Sequence, residues 1–137
     1  MKILVIDDDS AMTDLLKLIL ISSDAEVVTA NSGTEGLKKI KELSPSIVIL
    51  DLMMPDMDGW QITSEIRKFS SVPILILSVI DNPGLVARAL DAGADDYLIK
   101  PAARNMLIAH INNLTRRVSV NEENSNPLKL RAESFFP

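Results

Sequence analysis

The chain has no cysteine anywhere in its 137 residues, which excludes a disulfide framework, a thiolate zinc site and a cysteine nucleophile. Aromatic residues make up only 4%, so a core has to come from Val, Ile, Leu and Ala. Basic charge is short as well. With a formal net charge of −5 there is no strongly basic surface to track a phosphate backbone, and direct nucleic-acid binding by this stretch is not expected. No apolar run approaches the ~20 residues that span a bilayer, and Met1-Lys2-Ile3-Leu4-Val5-Ile6-Asp7 reaches an acid too early for a signal peptide. The length suits one domain. These absences predict a soluble cytoplasmic protein with a single aliphatic core and no membrane partner.

What is present is organised around Ser46 to Gly59, which reads Ser-Ile-Val-Ile-Leu-Asp-Leu-Met-Met-Pro-Asp-Met-Asp-Gly. Ile47 to Leu50 is an unbroken apolar run, β-branched at three of four positions, as expected of a strand covered on both faces. Asp51 follows it, at the rim where open α/β sheets bind ligands. Pro55 and Asp56-Met57-Asp58-Gly59 then turn the chain into a helix.

The same alternation recurs along the chain. Ile3–Ile6, Glu26–Thr29, Ile74–Leu77 and Asp95–Ile99 read as strands; the first ends in Asp7, Asp8 and Asp9, the fourth delivers Ser78 and the fifth delivers Lys100-Pro101. A helix from near Ser10 sets Met12, Leu15, Leu16, Ile19 and Leu20 on one face. Ser32-Gly33-Thr34-Glu35 is a capping box opening a helix that packs Leu37, Ile40 and Leu43. After Gly59, Ile62, Ile66 and Phe69 point inward until Ser70-Ser71 breaks the helix. Asp81-Asn82-Pro83 starts another, which Gly93 ends. The last runs from about Arg104 to Val118, with Leu107, Ile111, Leu114 and Val118 on one stripe. Five β-then-α units predict a parallel sheet with helices on both faces. Beyond it, Ser119–Pro127 is polar, Leu128–Glu133 alternates weakly, and Phe135-Phe136 precede Pro137. Residues 1–118 therefore read as one domain and 119–137 as a linker or tail.

Strand ends of one polarity share one rim, so Asp7, Asp8, Asp9, Asp51, Ser78 and Lys100 should gather. Crowded carboxylates repel, and a hard divalent cation relieves them; magnesium, which takes few protein ligands, suits the set best. With a lysine and a hydroxyl around the remaining carboxylate, the group matches what phosphoryl transfer onto Asp51 needs. Each residue alone also has an ordinary reading as a cap, a turn or a solvated side chain. Met53, Met54 and Met57 read as packing, Trp60 as a helix-face residue, and His110, far from the rim, as a surface or interface residue.

Those residues carry a resemblance. Val5-Ile6-Asp7-Asp8-Asp9, Ile49-Leu50-Asp51-Leu52-Met53-Met54-Pro55-Asp56-Met57-Asp58-Gly59, Ser78 and Gly93-Ala94-Asp95-Asp96-Tyr97-Leu98-Ile99-Lys100-Pro101 resemble the receiver domain of two-component response regulators over about residues 1 to 118. The resemblance implies a flavodoxin-like α/β sheet of order 2-1-3-4-5 and phosphorylation of Asp51 by a sensor histidine kinase. It also implies that Asp8, Asp51 and the Met53 carbonyl bind Mg2+ while Asp7 holds a metal-bound water. Lys100 would pair with a phosphoryl oxygen, Ser78 and Tyr97 would form the switch, and the Lys100-Pro101 bond would be cis. Such a domain is a phosphoacceptor rather than a turnover enzyme.

The Gly93–Pro101 block is similar to the subfamily that regulates transcription through a winged-helix domain and forms homodimers through the fourth helix, fifth strand and fifth helix. Asp95, Asp96, Val86, Met106 and His110 fall on that expected face, although Val86, Met106 and His110 stand where the subfamily carries charged salt-bridge partners, and Ala102 replaces its phenylalanine. Two other readings remain: a haloacid-dehalogenase-type phosphatase starting at Asp7-Asp8-Asp9-Ser10, which needs Thr or Val at Ala11 and a longer chain, and a scaffold receiver whose output ignores phosphate. In the receiver family the residues two after the phosphoacceptor and two after the switch hydroxyl help to aim hydrolytic water. Here they are Met53 and Ile80, with bulky Val79 beside Ser78, which predicts a long-lived phosphorylated state.

Overall fold

The computed structural model describes residues 1–22 and 24–123. The tail expected over 119–137 lies outside the described residues from 124 onward, and the Val118 side chain, expected on the core stripe, is not among the described side chains. Five strands and five helices alternate: β1 (Lys2–Ile6), α1 (Ser10–Leu20), β2 (Glu26–Ala30), α2 (Gly33–Leu43), β3 (Ile47–Leu50), α3 (Gly59–Arg67), β4 (Ile74–Ser78), α4 (Pro83–Asp91), β5 (Asp96–Ile99) and α5 (Arg104–Glu123). The five named strands pair in parallel throughout, in the order β2-β1-β3-β4-β5. This is the flavodoxin-like order that the resemblance implied.

The two-residue period of a strand divides the core in two. Leu4, Ile6, Val48, Leu50, Ile74 and Ile76 face α2, α3 and α4, where Ile40, Ile62, Ile66 and Ala89 meet them. Ile3, Val5, Ile47, Ile49, Leu75 and Leu77 face α1 and α5 and pack on Leu16, Leu20, Leu107, Ile111 and Leu114. β1, β3 and β4 are therefore apolar at every buried position except Ser78 at the end of β4, because both of their faces are covered. The edge strand β5 has no fully buried residue.

Side-chain caps set the helix starts. Asp9, Ser32, Asp58 and Asn82 each accept a hydrogen bond from the first turn of α1, α2, α3 and α4. Gly59 is required by close approach, since a Cβ there would lie 2.6 Å from the Leu52 Cα and 2.7 Å from the Asp51 carbonyl oxygen. Gly93, with φ of 121°, occupies backbone space that other residues avoid.

The structure corrects four details. Leu15 is exposed, and Thr13 takes the inward position of α1, because its hydroxyl donates to the Ser10 carbonyl and needs no water. Phe69 is 42% exposed, since α3 ends at Arg67 and the helical period no longer applies two residues later. The Ser32 hydroxyl accepts from the Glu35 N–H, as a capping box requires, but Glu35 answers the N–H of Asn31 and not that of Ser32. α5 continues to Glu123, past the expected end at Val118, because polar Asn and Glu residues do not by themselves stop a helix.

Candidate functional site

β1 and β3 are neighbours with Ile6 opposite Leu50, so Asp7 and Asp51 leave the sheet side by side. The ladder extends into them: the Asp51 N–H donates to the Ile6 carbonyl at 3.0 Å and the Asp7 N–H to the Ala30 carbonyl at 3.1 Å. Carboxylate oxygens of Asp7, Asp8 and Asp51 lie within 4.8 Å of one another. Asp7 and Asp51 are buried and Asp8 is open to solvent. Asp9, expected in the same cluster, turns away to cap α1 through the N–H groups of Ala11 and Met12. Its own N–H donates to Asp7 Oδ1 at 3.0 Å, folding the turn back onto Asp7.

Lys100 reaches this rim from the far edge of the sheet, carried by the pairing of Ser78 with Ile99 and by the bond from its own N–H to the Ser78 carbonyl. Its ammonium sits 2.8 Å from Asp7 Oδ2 and 3.7 Å from Asp51 Oδ2. The Lys100-Pro101 peptide is cis. Burial pushes the Asp51 carboxyl above its ordinary range; Lys100 pulls the other way and the Asp7 charge adds to the rise. One ammonium thus leaves negative charge unbalanced among three carboxylates. Clustered hard oxygen donors, one of them solvent-open, fit a divalent cation such as magnesium, which keeps part of its water shell.

Ser78 is fully buried, and its Oγ accepts from the Ile80 N–H at 3.3 Å. The Tyr97 hydroxyl donates to the Ile80 carbonyl at 2.7 Å, and burial raises the Tyr97 phenol above its usual range. Ser78 and Tyr97 thus hold the same short loop from two sides. Val79 and Met53 are exposed beside the site, at 67% and 57%. Trp60 does lie on a helix face: its Nε1 donates to the Leu85 carbonyl and the Arg88 guanidinium covers its ring.

Of the expected interface residues, Met106 is exposed and Val86 half-buried. The other three are engaged within the chain. Asp95 accepts from Arg67 at 2.9 Å and from the Ile74 N–H at 2.8 Å, while Asp96 pairs with Nδ1 of His110.

Two residues with no assigned role touch the acidic loops. Asn31, just beyond β2, donates from Nδ2 to the Asp7 carbonyl at 2.9 Å. Asp56 accepts from the N–H groups of Gly33 and Thr34 at the start of α2. Burial pushes the Asp56 carboxyl up, but these bonds outweigh it and hold the group below its usual range. The sequence signal for Asn31 is only that β2 would otherwise end without a polar rim residue; Asp56 carries no such signal, because its partners lie 22 and 23 positions away.

The response regulator receiver domain model matches residues 3–112. A probable transcriptional regulator ycf27 of Porphyridium aerugineum is 39% identical over 125 residues, covering 91% of this chain and 52% of the relative. The transcriptional regulatory protein AfsQ1 of Streptomyces coelicolor is 37% identical over 115 residues, covering 84% of this chain and 51% of its own length. The chain thus spans about half the length of the curated relatives it matches. A crystal structure of a response regulator receiver domain protein from Clostridium thermocellum superposes with a TM-score of 0.81 at 37% identity, covering 87% of this chain and 97% of that one. With the acidic rim at the ends of β1 and β3 and the lysine after β5, the match over 3–112 shows that the chain belongs to the response regulator receiver domain family.

Proposed function

We propose that this chain is a phosphorylation-activated switch in which Asp51 accepts a phosphoryl group from a sensor histidine kinase in the cytoplasm and passes the signal on, to transcription, by a change of surface. The observation that carries the reading is the buried Asp51 carboxylate beside Asp7, Asp8 and the Lys100 ammonium at one strand rim. In the transfer an Asp51 oxygen attacks phosphorus, the bond from phosphorus to the donor's imidazole nitrogen breaks, and the imidazole leaves with that electron pair. Asp8, Asp51 and the Met53 carbonyl would hold Mg2+ directly and Asp7 through a water. Bound there, the ion would neutralise charge that develops on the phosphoryl oxygens. Lys100, already between Asp7 and Asp51, would turn to one phosphoryl oxygen, and the Ser78 hydroxyl would exchange the Ile80 N–H for another. The Ile80 carbonyl and Tyr97 share that loop, so the movement reaches β5.

The surface we assign to self-association is the α4–β5–α5 face. Leu90, Ile99 and Met106 are exposed there and Val86 is half-buried. With Asp95, Asp96 and His110 engaged within the chain, the contact is apolar rather than ionic. Among the described residues no helix is long and apolar enough to cross a membrane.

Incubation with acetyl phosphate and Mg2+, followed by intact-mass analysis, tests the central claim. One stable acyl phosphate on Asp51 is expected, absent from Asp8→Ala; continuous release of inorganic phosphate with no accumulated adduct would overturn it and favour phosphatase chemistry.

A further inference from the structure

The carboxylate cluster is built from two loops, one after β1 and one after β3, and a third element grips both. This is the β2–α2 turn, residues 31–34, which contributes no carboxylate of its own. On one side Asn31 uses both hydrogens of its amide, donating to the Asp7 carbonyl at 2.9 Å and to the Thr13 hydroxyl at 3.1 Å. Thr13 donates onward to the Ser10 carbonyl at 3.0 Å, so the acidic loop and the first turn of α1 are held as one body. On the other side the Asp56 carboxylate, in the loop that follows Asp51, accepts from Gly33 N–H at 3.0 Å and Thr34 N–H at 3.3 Å. Packing adds to these bonds, since a Cβ on Gly33 would lie 2.8 Å from Ile62 Cδ1 and 3.1 Å from Met57 Cβ. The turn is itself braced, by Ser32 capping Glu35 and by Glu35 accepting from the Asn31 N–H.

We propose that the β2–α2 turn is a clamp that sets the spacing of the two metal-binding loops, with Asn31 and Asp56 as positioning residues outside the ligand set. The inference rests on the reading of Asp7, Asp8 and Asp51 as a magnesium site. A cation of this size requires near-ideal octahedral geometry with ligands at about 2.0–2.1 Å, so a shift of a few tenths of an ångström in one loop weakens a ligand on the other. Loss of outer-shell partners commonly lowers metal affinity about 10- to 100-fold. Because both ties act on one spacing, removing the second after the first should add little.

Calorimetric titration of Mg2+ into the unphosphorylated chain tests the clamp, comparing wild type with Asn31→Ala, Asp56→Ala, the double variant and Asp56→Asn, and recording each metal-free melting temperature. Asn31 is exposed, so its truncation opens no cavity and the variant should fold. The expected result is about 10-fold weaker binding in each single Ala variant, a double variant clearly short of the product of the two losses, and recovery of most of the affinity in Asp56→Asn, which keeps an oxygen acceptor for Gly33 and Thr34. A merely structural role would lower the melting temperature and leave the Mg2+ affinity unmoved. Unchanged affinity in both single Ala variants, a double loss equal to the product, or Asp56→Asn as weak as Asp56→Ala would each overturn the clamp while leaving the metal site in place. If wild type itself binds no Mg2+, the metal reading and the clamp fall together.

Discussion

α3 and α4 are both nine residues long and pack on the same face of the sheet, yet they are held very differently. α3 buries Gly59, Ile62, Thr63 and Ile66, and its start is locked to the loop that carries Asp51 by the bond from Gly59 N–H to the Leu52 carbonyl at 2.9 Å. α4 buries only Ala89 and leans on α3 through the Trp60–Leu85 hydrogen bond and the Arg88 guanidinium over the Trp60 ring. The half of the domain that must keep three carboxylates in place is tightly packed. On the proposed reading α4 lies in the half that reports a change, and it carries few buried contacts, so its displacement costs little.

The largest effect is expected on the tightly packed side. Asp51→Asn should abolish acyl-phosphate formation altogether and, without metal, should raise the melting temperature at neutral pH. The sign follows from burial, which raises the folded-state carboxyl above its ordinary range. The folded protein then binds the proton better than the unfolded chain, so stability falls as pH rises from the usual carboxylate range through the raised value, and the loss is complete above it. Melting curves from pH 4 to 8 check this, and a lower melting temperature for Asp51→Asn at pH 7 would mean that Asp51 is stabilised in the fold by its neighbours.

Next in size is a direct comparison of the two helices. Ile66→Ala, at a fully buried site, should cost about 2–5 kcal/mol in chemical denaturation, whereas Leu90→Ala, at a site 42% exposed, should cost under about 1 kcal/mol. Equal costs would erase the proposed asymmetry.

A smaller effect is expected where the halves meet over the site. Met53 and Ile80 offer no useful hydrogen bond to a hydrolytic water, so Met53→Asn with Ile80→Glu should shorten the acyl-phosphate lifetime about 10-fold, a barrier change of about 1.4 kcal/mol. Following loss of the adduct over time decides this; equal lifetimes would place water positioning on other groups. The smallest effect on the fold is expected from Met106→Glu, at an exposed position of α5, within about ±0.5 kcal/mol of wild-type stability. It should nonetheless reduce the dimer fraction in sedimentation, and the wild-type dimer should be nearly insensitive to salt. An unchanged dimer fraction would count against this face.

The strands were legible because short β-branched runs bounded by acids, prolines and turns have few alternatives, and the rim followed because parallel strands point the same way. Helix faces were less legible. Leu15 and Phe69 fit the apolar period but lie outside, and Thr13, which lies inside, is polar and so gave no periodic signal. Asp9 could be placed after β1, yet composition does not distinguish a capping acid from a clustered one. Asn31 and Asp56 were invisible as a pair, since their effect depends on partners brought together only by the folded sheet.

From the sequence alone came the alternation of five strands and five helices, the acids, hydroxyl and lysine at their ends, and the family those motifs resemble, because these depend on local period and on strand polarity. The tertiary structure decided which groups meet. It set Lys100 nearer Asp7 than Asp51, turned Asp95 to Arg67 and Asp96 to His110, and tied both acidic loops to one turn. Each of these depends on distances between segments far apart in the chain, which crossovers and packing set and which no local pattern encodes.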